Sequence, residues 1–418
     1  MSPEPRSALE SADFRTLTAA RFLLAFARRM QTLVMAWQVY ALTHDPLALG
    51  LIGLVEAVPA LALALWAGDV VDRGEPLSIY RGVIVGSLIS VGLLLAAGLP
   101  GAGLSEARHL ALIYAAAFIA GAARGFSQPA LYALVPRLVP RAALARSSAW
   151  ITTAFQTASV IGPGLGGVLF AWKGAQVPYG LGAALLLCSL LMTAAIRPPA
   201  APAPEPAAPG PAESAWRRMT SGLRFVFADE VLLPALALDM FAVLFGGVEA
   251  ILPIFAADIL RVGASGLGLL MAAPSLGALL GSALMIRRTP NRGAGKLLLT
   301  VVTGFGLCVI AFALSRDVRL SAALLALAGA LDSVSMVIRG AIVQLASPPG
   351  MRGRVAAVNS MFIGTSNELG AFESGAAAKL LGTVPSVVCG GLLTLVTVAA
   401  AALWSPRLRA MDLDGLRS

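Results

Sequence analysis

Ionisable residues are scarce inside the long apolar runs of this 418-residue chain, so the few that occur there mark where chemistry can happen. Arg21, Arg28 and Arg29 fall in the first run, Glu56 in the second and Arg124 in the fourth. Asp239 and Glu249 fall in the seventh, Asp332 and Arg339 in the tenth, and Glu368 and Glu373 in the eleventh, beside the polar but uncharged Asn359. An ionisable group in mid-span costs at least about 2.5–3.5 kcal/mol to insert, so each needs a partner, a wet cavity or a task. Carboxylates and guanidinium groups set together can form ion pairs, hold a charged ligand and exchange protons. Covalent chemistry would need other patterns. The chain carries no G-x-S-x-G, H-E-x-x-H or Walker A sequence. His44 and His109 are too scattered to ligate a metal, and Cys188, Cys308 and Cys389 read as small buried hydrophobes in separate runs. Neither an enzyme, nor an ATP-driven pump, nor a cofactor is expected.

The elements that must position these groups are membrane helices. Apolar residues make up 58% of the chain and charged ones only 13%. A soluble domain carries about 25% charged residues to cover its wet surface, so this chain is an integral membrane protein. Its runs are continuous rather than alternating, which excludes barrel strands and leaves spans of about 20 residues. Twelve such segments are readable, giving an all-α membrane protein. The organisation expected is an N-tail at 1–17, a six-helix bundle at 18–196, a linker at 197–230, a second six-helix bundle at 231–404 and a C-tail at 405–418.

An even number of spans puts both termini on one side. Most of the 31 Lys/Arg lie in the tails and the even-numbered connections, whereas Arg108, Lys173, Arg261, Arg316, Arg319 and Lys379 fall in the others. The positive-inside rule makes both termini cytoplasmic. The net charge of +9 therefore sets topology and does not call for nucleic acid.

Pro198 to Pro211 reads PPAAPAPEPAAPGP, a stiff extended linker, and the basic, aromatic segment from Trp216 that follows reads as a cytoplasmic interfacial helix. The two halves are related. A shift of 208 residues lays Arg146 on Arg354, Gly162 on Gly370 and Gly167 on Gly375, and near the second span a shift of 218 lays Leu49-Gly50-Leu51 on Leu267-Gly268-Leu269. Ordered similarity with the same topology is the trace of a parallel repeat.

Two motifs add detail. The connection after the second span reads Gly68-Asp-Val-Val-Asp72-Arg73-Gly74, and the fifth span carries Gly162-Pro163-Gly164-Leu165-Gly166-Gly167. The first resembles the G-x-x-x-D-R signature of the major facilitator superfamily, although Glu75-Pro76-Leu77 stand where further basic residues are usual. The second is similar to the superfamily's antiporter motif, found in exporters. Trp37-Gln-Val-Tyr-Ala-Leu-Thr, Arg124-Gly-Phe-Ser-Gln-Pro129-Ala and Met351-Arg-Gly-Arg-Val-Ala-Ala-Val-Asn359-Ser resemble the enterobactin-exporter-like branch of drug/proton antiporters.

The resemblance implies two six-helix bundles rocking about a central site, with export of siderophores, macrolides or other amphipathic compounds. It places spans one, four, seven and ten beside the cavity. The cavity residues expected are Asp239, Asp332, Arg124, Glu249, Arg28, Glu56 and Arg339. Along span one, Arg21, Arg28, Gln31, Met35 and Gln38 fall near one helical face. On a continuous span seven, Asp239 and Glu249 would form two stations about 15 Å apart. Arg124 and Asp332 align under the repeat, so either they pair directly or each finds a partner on another helix. Gly68, Asp72 and Arg73 are expected to form a cytoplasmic gate, Gly68 by close helix approach. Arg352, Arg354, Asn359 and Glu368 are expected to be its counterpart in the second half. The partners implied are a small-molecule substrate, protons and membrane lipid, with the protein a monomer in a bacterial inner membrane. A same-fold importer or a lipid flippase is the alternative.

Overall fold

The structure, a computed structural model, describes residues 11–98, 105–140, 143–197, 215–287, 293–348 and 351–412. The Pro/Ala linker lies outside them. Six long helices come first: α1 (Ala12–Thr43), α2 (Pro46–Arg73), α3 (Pro76–Ala97), α4 (Glu106–Leu138), α5 (Leu144–Lys173) and α6 (Gln176–Ala195). After α7 (Ala215–Ala228) come α8 (Leu232–Gly246), the short α9 (Leu252–Ile254), α10 (Gly263–Arg287) and α11 (Ala294–Leu314). The chain continues through α12 (Val318–Ala346), α13 (Arg352–Leu381), α14 (Thr383–Trp404) and a single turn, α15 (Pro406–Arg409). No strand occurs among the described residues.

Among the described residues, ten helical segments are long and apolar enough to cross a membrane. Two more, α1 with 32 residues and α13 with 30, have the length but not the uniform apolarity. These are the helices that carry the arginine trio and the Asn/Glu residues. Large apolar side chains such as Trp66, Tyr132, Trp172 and Leu191 face outward, as a lipid-facing surface requires. Cys188 and Cys389 are exposed among them and only Cys308 is buried, so two of the three cysteines are not the core fillers expected.

Local chemistry sets the corners. His44 closes α1 with φ of 48°, and Asp45 Oδ1 accepts from the Leu47 amide at 2.9 Å, with Pro46 opening α2. Glu75 Oε2 accepts from the Ser78 amide at 2.6 Å and Pro76 opens α3. An oxygen acceptor followed by a proline in the first turn is how a helix starts where its amides lack partners.

The chain divides into two compact units, residues up to 207 with 261–272, and 208–260 with 273 onward. In the second unit, span seven departs from the expected continuous helix. Gly246 ends α8 and Gly247 is extended, with ψ of 117°. A 3-10 turn at Glu249–Ile251, α9 and a π turn at Phe255–Ile259 complete the segment. Asp239 and Glu249 therefore do not share one helix, and Glu249 is exposed on the turn beyond the break. Paired glycines weaken a helix, and the freed backbone is tolerated where neighbours bond it. Here Ser374 donates to the Gly247 carbonyl at 2.6 Å.

The helix expected around Trp216 is present as α7. Its Val226 is buried, and its Gly222 lies so close to α13 that a methyl there would stand 3.0 Å from the Arg354 carbonyl. Beyond α14, α15 docks back. Leu408 is buried, the Gly295 amide donates to the Met411 carbonyl at 3.2 Å, and Arg407 meets Glu230 at 2.9 Å.

Candidate functional site

The first unit holds an open cavity of about 260 Å³ among α1, α2, α4 and α5. Arg21, Arg28, Arg29 and Thr32 of α1 line it, with Glu56 of α2, Arg124 and Gln128 of α4, and Phe155 of α5. Arg28 Nη2 lies 3.3 Å from Glu56 Oε1, and Arg124 Nε lies 3.6 Å from the same oxygen. One carboxylate thus serves two guanidinium groups. Arg29 Nε donates to Ser159 Oγ at 3.1 Å. Arg21 and Arg29 both face the Phe155 ring, at 5.7 and 5.3 Å from its centre. Arg21 is 9% exposed, and its Nε is buried without a hydrogen-bond partner.

Close backbone packing puts these groups where they are. A methyl on Gly121 of α4 would fall on the Glu56 carbonyl, and one on Gly125 would stand 2.8 Å from the Ala60 carbonyl, so α4 presses onto α2 beside the Arg124–Glu56 contact. The fifth-span motif does the same for α5. Gly162 leaves room for Arg29 Cβ, which a methyl would meet at 2.8 Å, and Gly166 does so for Met30. Gly167 abuts Ala264 and Gly268, and Gly268 in turn approaches the Pro163 carbonyl. Phe155, Ser159, Gly162 and Gly166 recur at helical spacing, so one face of α5 carries both the packing glycines and the groups that meet Arg29.

The cavity face of α1 differs from the expected one. It runs through Arg21, Leu24, Ala25, Arg28, Arg29 and Thr32. Gln31 is buried and donates to Ser90 Oγ at 2.7 Å, and Gln38 accepts from the Tyr179 hydroxyl at 2.6 Å. Met35 is buried in the core. The two glutamines satisfy their amides against α3 and α6, which turns the arginines toward the cavity.

In the second unit Arg339 Nη1 of α12 pairs with Asp239 Oδ2 of α8, and both side chains are almost wholly buried. Beside the pair lies a cavity of about 10 Å³ lined by Asp239, Asp332 and Ser335 with apolar neighbours including Phe305 and Leu331. That is about the space of one water. Ser335 Oγ and Arg339 Nε are buried without hydrogen-bond partners. A half-satisfied polar network in a low-dielectric interior responds strongly to any change of charge.

The residues expected at the gates make the following contacts among the described side chains. A methyl on Gly68 would meet nothing within 4 Å, so Gly68 is not a close-packing position. Arg73 pairs with Asp69, one turn back, through contacts of 2.9 and 3.0 Å, and both side chains are exposed. The Asp72 side chain lies outside the described ones. In the second half, Arg352 donates to the Ser347 carbonyl at 3.3 Å and closes the end of α12. Arg354 donates to Ser221 Oγ of α7 at 2.9 Å. Asn359 is half-buried with its Oδ1 unpartnered, and Glu368 lies about 21 Å of helix rise beyond Arg354. These four residues do not form one cluster.

Residues 17–371 match the sequence profile of the Major Facilitator Superfamily. The chain belongs to that superfamily. Across 413 residues it is 27% identical to the Enterobactin exporter EntS of Escherichia coli strain SMS-3-5, covering 96% of this chain and 95% of the exporter. The same figures hold for the Enterobactin exporter EntS of Shigella boydii serotype 18. Among solved structures, a bacterial homologue of the human lysosomal transporter Spinster, inward-facing and unoccupied, superposes with a TM-score of 0.71 at 16% identity over 98% of both chains. A D-xylose-proton symporter gives 0.74 at 13% identity, over 96% of this chain and 99% of that one. The twelve-helix facilitator fold is thereby shown, and the molecule is a multi-pass membrane transporter rather than an enzyme.

Within this facilitator, three of the expected cavity residues, Arg28, Glu56 and Arg124, meet in the first unit. Asp239, Asp332 and Arg339 gather in the second. Within its own unit Arg124 lies against Glu56, and Asp332 lines the same small cavity as Asp239. Arg29 and Phe155, which are not among the expected cavity residues, line the cavity of the first unit as well. The signal available in the sequence was the α5 spacing that ties Phe155 and Ser159 to the motif glycines.

Proposed function

We propose that this facilitator is a proton-coupled exporter of amphipathic small molecules that works by alternating access. The observation that carries the coupling is the Asp239–Arg339 pair, buried beside Asp332 in a water-sized cavity. A proton taken by Asp239 removes its charge and leaves Arg339 without its partner. Loss of one member of a buried pair costs about 3–5 kcal/mol, enough to make the protonated and deprotonated protein prefer different conformations. Asp332 then serves as the second carboxylate for Arg339. If cargo binds best to the deprotonated form, inward proton flow drives outward cargo flow by linkage.

Export rather than import rests on similarity, nearly end to end, to proteins named as enterobactin exporters, and on the Gly162–Gly167 motif of α5. The protein then sits as a monomer in a bacterial inner membrane with both termini cytoplasmic, the side on which most Lys/Arg fall. Proteoliposomes with an imposed pH gradient test the coupling. Asp239→Asn should reduce gradient-driven efflux by at least about tenfold, a threshold of only ~1.4 kcal/mol. Undiminished efflux would remove Asp239 from the proton path, and gradient-driven accumulation in the opposite sense would favour the importer.

A further inference from the structure

We infer that the cavity of the first unit receives an oxyanion carried on an aromatic body, so that the cargo is an anionic amphiphile. This deepens the transport reading above and rests on it. Among the described lining residues, four guanidinium groups stand against a single carboxylate, Glu56. Arg28 and Arg124 share one oxygen of it. Arg29 is met by a neutral hydroxyl and an aromatic ring, and Arg21 by the same ring and the neutral Tyr80 phenol, with its Nε buried and unpartnered.

The excess of positive charge has no compensation among the described lining residues. Arg21, at 9% exposure, does not reach out to bulk water as a snorkelling arginine would. Guanidinium groups bind planar oxyanions through paired donors, and they do so more strongly where water is scarce. Phe155, faced by two of them, supplies a flat apolar surface on which an aromatic cargo can stack while its anionic group meets Arg21 and Arg29. The volume, about 260 Å³, is close to the lower end of ligand pockets, ~300–1,000 Å³. A cationic amphiphile of the same shape would be repelled. An incoming anion also competes with Glu56 for Arg28 and Arg124, so binding would loosen the contact between α2 and its neighbours.

Two dyes with the same xanthene frame and opposite charge provide the test: fluorescein, an anion, and rhodamine 6G, a cation. Full-length protein in nanodiscs of phosphatidylcholine is titrated with each, and binding is read by fluorescence anisotropy. Fluorescein should bind at least about tenfold tighter than rhodamine 6G. Arg29→Gln and Arg21→Gln should each weaken fluorescein binding about tenfold without weakening rhodamine 6G, and Arg29→Lys should recover part of the loss. The comparison of the two dyes on unaltered protein stands even if a variant misfolds. Fluorescein bound no tighter than rhodamine 6G, including no binding of either, overturns the inference. So does an equal loss of both dyes in monodisperse Arg29→Gln protein. Dye efflux from proteoliposomes separates this from the exporter reading. Selective fluorescein binding without outward transport removes export and leaves the anion site, whereas outward transport of rhodamine 6G alone keeps export and removes the site.

Discussion

The two units share their packing and invert their charge. A methyl on Gly121 would fall on the Glu56 carbonyl in the first unit, and one on Gly329 on the Pro274 carbonyl in the second; a methyl on Gly162 would stand 3.1 Å from the Phe26 carbonyl, and one on Gly370 3.1 Å from that of Leu244. Each of these pairs is related by the two offsets that relate the halves of the sequence, so the repeat reaches down to individual helix contacts. The same offsets lay Arg21 on Asp239 and Arg124 on Asp332, and they lay Glu56 on a proline. The first unit is left with arginines around an open cavity. The second holds carboxylates around one arginine in a space for a single water. A duplicated scaffold thus offers two chemically opposite sites, one rich in arginines and the other in carboxylates, the contrast on which the proposed anion and proton roles rest.

Substitutions can break this contrast. The largest effect should come from Arg339→Ala, which leaves Asp239 buried without its partner and should cost about 3–5 kcal/mol, read as a fall in the thermal midpoint of the purified protein. Adding Asp239→Asn should recover most of that stability but not transport. If the single variant melts like the parent, the pair is not the keystone of the second unit.

Next in size is overpacking at the shared glycines. Gly162→Val and Gly370→Val should each cost about 1–3 kcal/mol by forcing α5 off α1 and α13 off α8. Gly162→Val should also weaken fluorescein binding, since it displaces Arg29, and Gly370→Val should not. Equal effects on the dye would dissolve the division of labour.

A subtler variant sharpens the contrast. Glu56→Gln removes the only carboxylate among the described cavity-lining residues and should tighten fluorescein binding severalfold, with rhodamine 6G moving the opposite way. Smallest of all, Asp69→Ala breaks only an exposed pair, so stability should change by less than about 0.5 kcal/mol. Any large loss of efflux in that variant would then assign the Asp69–Arg73 contact to gating.

How far the sequence foretold these sites depends on the range of the interaction that makes them. The existence of the long helices and the twofold repeat were legible, because apolar runs and motif spacings are local patterns. The charges inside the spans were legible as a set, since hydrocarbon makes each of them costly. Their partners were not. Arg339 finds Asp239 across the fold of the second unit, and Glu56 is shared by two helices, so no spacing rule reports either. Gln31 and Gln38 look like cavity residues on a helical wheel but spend their amides on neighbouring helices. The break of span seven was written in Gly246-Gly247, yet the uniformly apolar flanks read as one continuous helix.

An anionic cargo would also make the transport cycle electrical. One proton entering and one monoanion leaving both carry positive charge inward, two charges per turn. With the cell interior negative by about 100 mV, each charge contributes about 2.3 kcal/mol, so the membrane voltage adds ~4.6 kcal/mol to whatever the pH gradient supplies. A monocation exchanged for one proton would gain nothing from that voltage. The arginines that line the cavity of the first unit would therefore let this transporter run on voltage when the pH gradient has collapsed.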